Sequence, residues 1–262
     1  MKRIISAILT VVMVLTLGTV AFAAYDGKVP NDTLVPVDGT NYAEIEQEKS
    51  ATKVGFSGLR EATEQDIAES LYQAEKKDEL SAGKEKSPAK ASWYQLDDMS
   101  SFYYYAQAKN YSCGAAGVRM ALRYLTGVNY SEATVRTGCN TTTSGTSLSD
   151  MITYINSEQS ANTYVAKYGA SKTTMKNNLY SGIVTWDAPP LMGLKEQTSA
   201  GWPFDLGGHC VVIYSVKSDK SEVSIADPWA GYVSSTSSYK WYDMTTDDVY
   251  TAYNAINAGY MY

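Results

Sequence analysis

Three residue types in this chain are spaced as nucleophilic catalysis needs them: a cysteine at a helix start, a histidine at a strand start and an aspartate at the end of the returning strand. Residues Gln107 to Leu125 read QAKNYSCGAAGVRMALRYL. After Cys113, apolar residues recur at helical spacing (Ala115, Val118, Ala121, Leu122, Leu125), and Gly127 is a helix stop. Cys113 therefore falls in the first turn, where unpaired backbone N–H groups and the positive end of the helix dipole favour a thiolate. Gly114 to Gly117 carry almost no side chain, so another chain can approach closely. Standing alone, the same cysteine reads as a small buried hydrophobe, which is what most free cysteines are.

His209 is the only histidine. It follows Gly207-Gly208 and begins HCVVIYSV, a strong strand pattern. Alternation puts His209, Val211 and Ile213 on one face and Cys210, Val212 and Tyr214 on the other, so Cys210 reads as a packed core thiol. Ser218 to Ser221 turns the chain and Glu222 to Ala226 returns. Asp227 then stands where a carboxylate accepts the proton of the second ring nitrogen and fixes tautomer and aim. An Asp-Pro turn explains the same residue structurally, and a lone histidine is also compatible with a structural role. Trp229 either shields that hydrogen bond or belongs to the core. Gln107 lies six positions before Cys113. Its amide is placed to stabilise an oxyanion together with the Cys113 N–H, or it is a solvated loop residue.

The pairing register constrains this grouping. A two-residue Asp219-Lys220 turn sets His209 against Ala230, which turns Asp227 to the wrong face. One bulge, or a loop of three or five residues, shifts the register by one and brings Asp227 to the His209 face. A bulge or an odd loop is therefore expected. Asp227, at a strand end, is expected to be little buried, so that Asp227→Ala costs activity and not folding.

The remaining elements must position these groups. Phe102 to Tyr105 reads as a short extended entry. Ser131 caps a second helix, Thr137 to Ser147 is loop holding Cys139, and Ser147 to Asp150 resembles a capping box before a helix with Met151, Ile152 and Ile155. Thr163 to Tyr168 is a strand, Ser171 to Tyr180 a helix stopped at Gly182, and Pro190 to Leu194 a strand. Helices first and antiparallel strands after give an α+β order.

The chain has 262 residues, 22 basic and 28 acidic, which disfavours a nucleic-acid partner. Twenty-two Tyr against four Phe suits an exported protein with wide contact surfaces. Cys113, Cys139 and Cys210 leave at least one thiol free; a Cys139–Cys210 bridge stays open on spacing alone. No cofactor motif is present and the Cys and His spacing suits no metal, so none is expected.

Residues 1–23 read as a secretory signal peptide: Lys2 and Arg3, an apolar run Ile4 to Leu17, and Ala21-Phe22-Ala23 before the cut. The expected location is secreted or extracellular, with cell-surface association open and no stable membrane association after cleavage. Residues 24–92 carry 14 acidic and 9 basic residues, no Trp and few large apolar ones. They read as a partly disordered propeptide or linker with one helix between Arg60 and Leu80, its apolar face made by Ile67, Leu71 and Ala74. As a propeptide, this segment would cover the active site until cut in the polar stretch Lys84 to Lys90. Residues 93–262 form the main domain.

Gln-x5-Cys-Gly, Gly-His before a β-branched strand, and Asp-x-Trp, in that order, resemble the papain-like cysteine peptidases. SCGAAGVRMAL, GTSLSDMITYI, PPLMGL, GGHCVVIYSV and VSIADPWAG, spread over Tyr103 to Gly231, are closest to the bacteriocin-leader (double-glycine) peptidase-like branch. The resemblance implies a papain-like fold with N-terminal helices packed on an antiparallel sheet. It also implies Cys113 as nucleophile, His209 as general base then acid, Asp227 as orienter and Gln107 as oxyanion donor, acting on a peptide or protein substrate. The branch's transporter-fused members carry membrane spans and an ATP site, which this sequence lacks, so double-glycine specificity does not carry over. A CHAP-type amidase of cell-wall peptides shares the Cys-then-His order, and a non-catalytic binding protein with this fold is the third possibility.

Overall fold

The computed structural model describes residues 34–49, 58–81 and 92–262. The signal peptide over 1–23 and the expected cut within Lys84 to Lys90 lie outside the described residues. The N-terminal region supplies β1 (Val37–Asp38), α1 (Tyr42–Lys49) and α2 (Glu64–Ser81). The domain continues with β2 (Trp93–Gln95), β3 (Tyr103–Tyr104), α3 (Cys113–Thr126), α4 (Glu132–Gly138), α5 (Leu148–Glu158), β4 (Ala166–Lys167) and α6 (Lys172–Val184). Then follow β5 (Leu191–Glu196), β6 (Leu206–Lys217), β7 (Glu222–Ala226), α7 (Pro228–Val233), β8 (Trp241–Thr245), α8 (Thr246–Asn254) and β9 (Tyr260–Met261).

The main sheet runs β4-β9-β5-β6-β7-β8, every pair antiparallel, with β2 added along the far end of β6. β1 pairs in parallel with β3 in a separate two-stranded sheet. This is the expected α+β architecture. The β-branched run of β6 is buried on both faces, and α3 and α6 pack on it. The cysteine helix ends as expected at Gly127, which takes the left-handed conformation.

Three departures have physical causes. The helix expected to stop at Gly182 runs through it, because a β-carbon there would lie 2.5 Å from Pro190 Cγ. Glycine is needed for that close approach, not as a terminator. The tyrosines line the interior rather than a contact surface: eight of them, including Tyr104, Tyr164, Tyr242 and Tyr262, are among the largest fully buried side chains. Several of their hydroxyls find polar partners, as Tyr164 does by donating to Pro189 O at 2.9 Å. Asp227-Pro228 does more than close a strand, since Asp227 caps α7 with proline at its first position.

The N-terminal region is bound to the domain by few apolar side chains and many polar joints. Of the three residues expected to share a buried face on α2, Ala74 is buried while Leu71 is exposed. Lys77 lies beside Ala74 and is buried instead. Its ammonium donates to Asn162 Oδ1, Thr163 O and Tyr262 O at 2.6–2.7 Å and faces the Tyr164, Trp186 and Tyr262 rings. Lys77→Met keeps the stem and strands those acceptors. It should cost about 3 kcal/mol of α2 docking, read as faster limited proteolysis of residues 64–81 with the sheet still intact.

Candidate active site

Cys113 is the first residue of α3 and is fully buried. The residue before it, Ser112, occupies the cap position without making a side-chain cap bond. Its hydroxyl is turned to the Glu132 carboxylate at 2.7 Å, which also accepts the Ala108 N–H at 2.8 and 2.9 Å. Glu132 therefore pins the Gln107–Ser112 loop and draws the natural capping group away from the helix start. First-turn N–H groups are left without that cap at the point where an oxyanion would form. Burial pushes Glu132 up to about 7, against the pull of these donors.

The hairpin carries the bulge its chemistry requires. Val212 pairs with Ala226 and Ile213 with Ile225, but Ser215 pairs with Ser224, so Tyr214 is the extra residue. Carried back along β6, that register sets His209 opposite Trp229, with Asp227 on the His209 face. His209 Nε2 lies 2.7 Å from Asp227 Oδ1. A carboxylate only accepts, so Nε2 bears the proton and Nδ1 is left for a second partner; Cys113 is near enough to raise the ring's proton affinity. Burial pulls His209 down, but the charges of Asp227 and Glu196 and the bonds to Asp227 and Cys113 outweigh it and hold the imidazole well above its ordinary value. Cys210 packs on the other face, where a methyl on Gly117 of α3 would sit 3.4 Å from its sulfur. All three thiols are free, so Cys139 and Cys210 are not bridged.

Asp227 corrects the expectation of an exposed strand end, for it is fully buried. Oδ1 also accepts the Trp229 N–H at 2.8 Å as the cap of α7, and Oδ2 accepts Tyr242 O–H at 3.2 Å. The burying elements lie on both sides: Tyr242 comes from β8, and Tyr104 of β3 donates to Asp227 O at 2.9 Å. Asp227→Ala should therefore cost folding as well as activity, about 2–4 kcal/mol from the lost cap and the stranded donors. Asp227→Asn, which still caps, should recover most of that in urea unfolding.

Gln107 is fully buried, and its N–H donates to Pro228 O at 3.0 Å, joining the loop before Cys113 to the residue after Asp227. Its side-chain Nε2 donates to Lys109 O at 2.6 Å, leaving one amide proton for another acceptor.

A strap from the N-terminal region is bonded to the segments on either side of this group. Gly58 O accepts the Thr146 N–H at 2.7 Å, Arg60 N–H donates to Thr146 O at 2.8 Å, and Leu59 N–H donates to Gly208 O at 3.1 Å. Thr146 lies beside Gly114 of the cysteine helix, and Gly208 immediately precedes His209. The strap thus bridges the two walls that carry nucleophile and base. A β-carbon on Gly58 would lie 2.4 Å from Tyr111 O, and one on Gly145 2.0 Å from Gly58 O, so only glycines permit the contact. Leu59 is buried against Gly193 and Ala258, and Arg60 pairs with Asp150 at 2.7 Å.

One member of the site was not found from sequence. Glu196, at the end of β5, is buried with Oε1 3.6 Å from His209 Nε2. The expected strand stopped at Leu194, which pairs with His209. Two more residues of alternation would have pointed to Glu196. Glu196, His209 and Asp227 offer ligand-type atoms within 4.8 Å of one another, but both Asp227 oxygens already serve donors, and a cation would have to displace the His209 bond.

A family model described as Peptidase_C39 like family matches residues 99–260. Among solved structures, a double glycine motif protease from an AMS/PCAT transporter, in complex with the leader peptide, is 16% identical. That match covers 60% of this chain and 86% of the other at a TM-score of 0.39. The peptidase domain of Streptococcus ComA, a bifunctional ABC transporter involved in quorum sensing, is 16% identical over 60% of this chain and 93% of its own, with a TM-score of 0.41. No curated protein sequence matches the chain.

Proposed function

The chain belongs to the Peptidase C39-like family, and from that premise we propose that it is an exported cysteine peptidase, kept latent by its own N-terminal segment, that hydrolyses peptide bonds through Cys113, His209 and Asp227. The observation that carries the reading is the buried pair in which Asp227 holds Nε2 of the only imidazole at 2.7 Å, leaving Nδ1 for Cys113 at the start of α3. In this mechanism the thiol proton passes to Nδ1 and the sulfur attacks a peptide carbonyl. The oxyanion takes hydrogen bonds from the Cys113 N–H and the remaining Gln107 amide proton. His209 then protonates the leaving amine, and a water it deprotonates releases the acyl group from the thioester.

Latency is supported by the burial of Cys113 and His209 and by the strap joining the walls that carry them, since a peptide cannot reach a sulfur without solvent access. Export is supported by the charged start and apolar run before Ala23. No helix among the described residues is long and apolar enough to cross a membrane.

The test is to incubate the exported protein, its N-terminal segment cut away, with a mixture of unstructured peptides, quench in acid and analyse by mass spectrometry. An acyl group on the Cys113 peptide together with new peptide termini is expected. Intact peptides and unmodified Cys113, after the N-terminal segment has been cut away, would reject the reading.

A further inference from the structure

Glu196 is a buried acid that the mechanism above does not use. It is 1% exposed, and neither carboxyl oxygen has a hydrogen-bond partner among the described residues. A carboxyl group left that way is costly to keep in a fold, so its position calls for an explanation. It faces the His209 ring, with Oε1 3.6 Å from Nε2, too far for a hydrogen bond and close enough for strong charge coupling. Asp227 differs in kind, because its oxygens are committed to His209, Trp229 and Tyr242 and so fix where the ring points. Glu196 aims nothing and acts on the ring by charge alone.

We propose that Glu196 is a positioning residue for the proposed peptidase reaction, a second carboxyl group whose charge is coupled to the protonation of His209. The groups facing this pair are Cys113 from α3 and Asp227 from the start of α7. Tyr242 from β8 and Tyr104 from β3 reach it through Asp227, and Cys210 is the neighbour on β6. Burial and then the Asp227 charge raise the proton affinity of Glu196, while imidazolium lowers it. The two groups therefore titrate as a coupled unit: a proton arriving on the ring favours loss of the one on Glu196, and the reverse. When His209 takes the Cys113 proton, Glu196 is the group beside it whose charge can answer.

The inference rests on the peptidase reading, but its readout needs no turnover. Because His209 is the only histidine, isotope-labelled histidine gives a single ring signal by NMR in the full-length protein. Wild-type protein should show two inflections with pH, one from the ring and one from Glu196. Glu196→Gln should show one, with its midpoint lower by about one pH unit, and Glu196→Asp should restore part of the difference. The alkaline limit of peptide hydrolysis should move the same way. A single wild-type inflection, or equal midpoints in wild type and Glu196→Gln, would overturn the assignment. Should Glu196→Gln not fold, the wild-type curve still decides. Absence of hydrolysis by the wild type after its N-terminal segment has been cut away would reject the peptidase reading and leave the titration to judge the coupling.

Discussion

Cys113→Ala should lower peptide hydrolysis to below about a thousandth of the wild-type rate, because removing a covalent nucleophile removes the step it performs. No other sulfur stands in for it. Cys210 packs on the opposite face of β6, and Cys139 is buried at the end of α4. The fold should tolerate the change: alanine suits the first turn of a helix, and the lost sulfur leaves a small cavity costing about 1–2 kcal/mol. Steady-state rates beside a melting curve separate the two effects, and activity above one part in a hundred would remove Cys113 from its role. The same variant reports on maturation. If removal of residues 24–92 is autocatalytic, Cys113→Ala should retain them, whereas identical N-termini in both proteins would exclude self-processing.

Leu59→Asp should act in the other direction and expose the site. The substitution places a carboxylate in a seat lined by Gly193 and Ala258, where burying an unpaired charge costs several kcal/mol, about as much as local opening of a short segment. Lifting the strap relieves that cost without disturbing the sheet, since the strap is joined to the two walls by three backbone hydrogen bonds. Cys113 should then react with iodoacetamide at least about tenfold faster than in wild type, with hydrolysis rising in parallel. Cys139 and Cys210, both buried, serve as internal controls. Equal acceleration at all three sulfurs would mean global unfolding, and none at Cys113 would mean that the strap does not gate it.

How much of this was legible beforehand differs from residue to residue. The cysteine helix and the histidine strand were readable because hydrophobic period reports directly on buried faces, and the family match and the sheet agree with the α+β order. The need for an extra residue in the hairpin followed from alternation alone, but its place at Tyr214 did not, because any position along the ladder satisfies the parity. The burial of Asp227 is not legible from its own hairpin, because Tyr242 reaches it from β8, beyond the hairpin and α7. The packing of residues 58–81 was missed for another reason. Backbone bonds at Gly58 to Arg60 and one buried ammonium hold them, and neither leaves a mark on apolar periodicity.

The strap also measures the opening it fills. Thr146 on one wall and Gly208 on the other both reach the backbone of the same three residues, Gly58 to Arg60, so the slot between them is one chain thick. β6 is laddered along both edges, to β5 and β2 on one side and β7 on the other, and cannot swing away to widen it. A folded surface has no way to bring a carbonyl between such walls. On the proposed reading, selection against folded proteins is built into the width of the slot, and only tails, linkers and unfolded chains present their peptide bonds to Cys113.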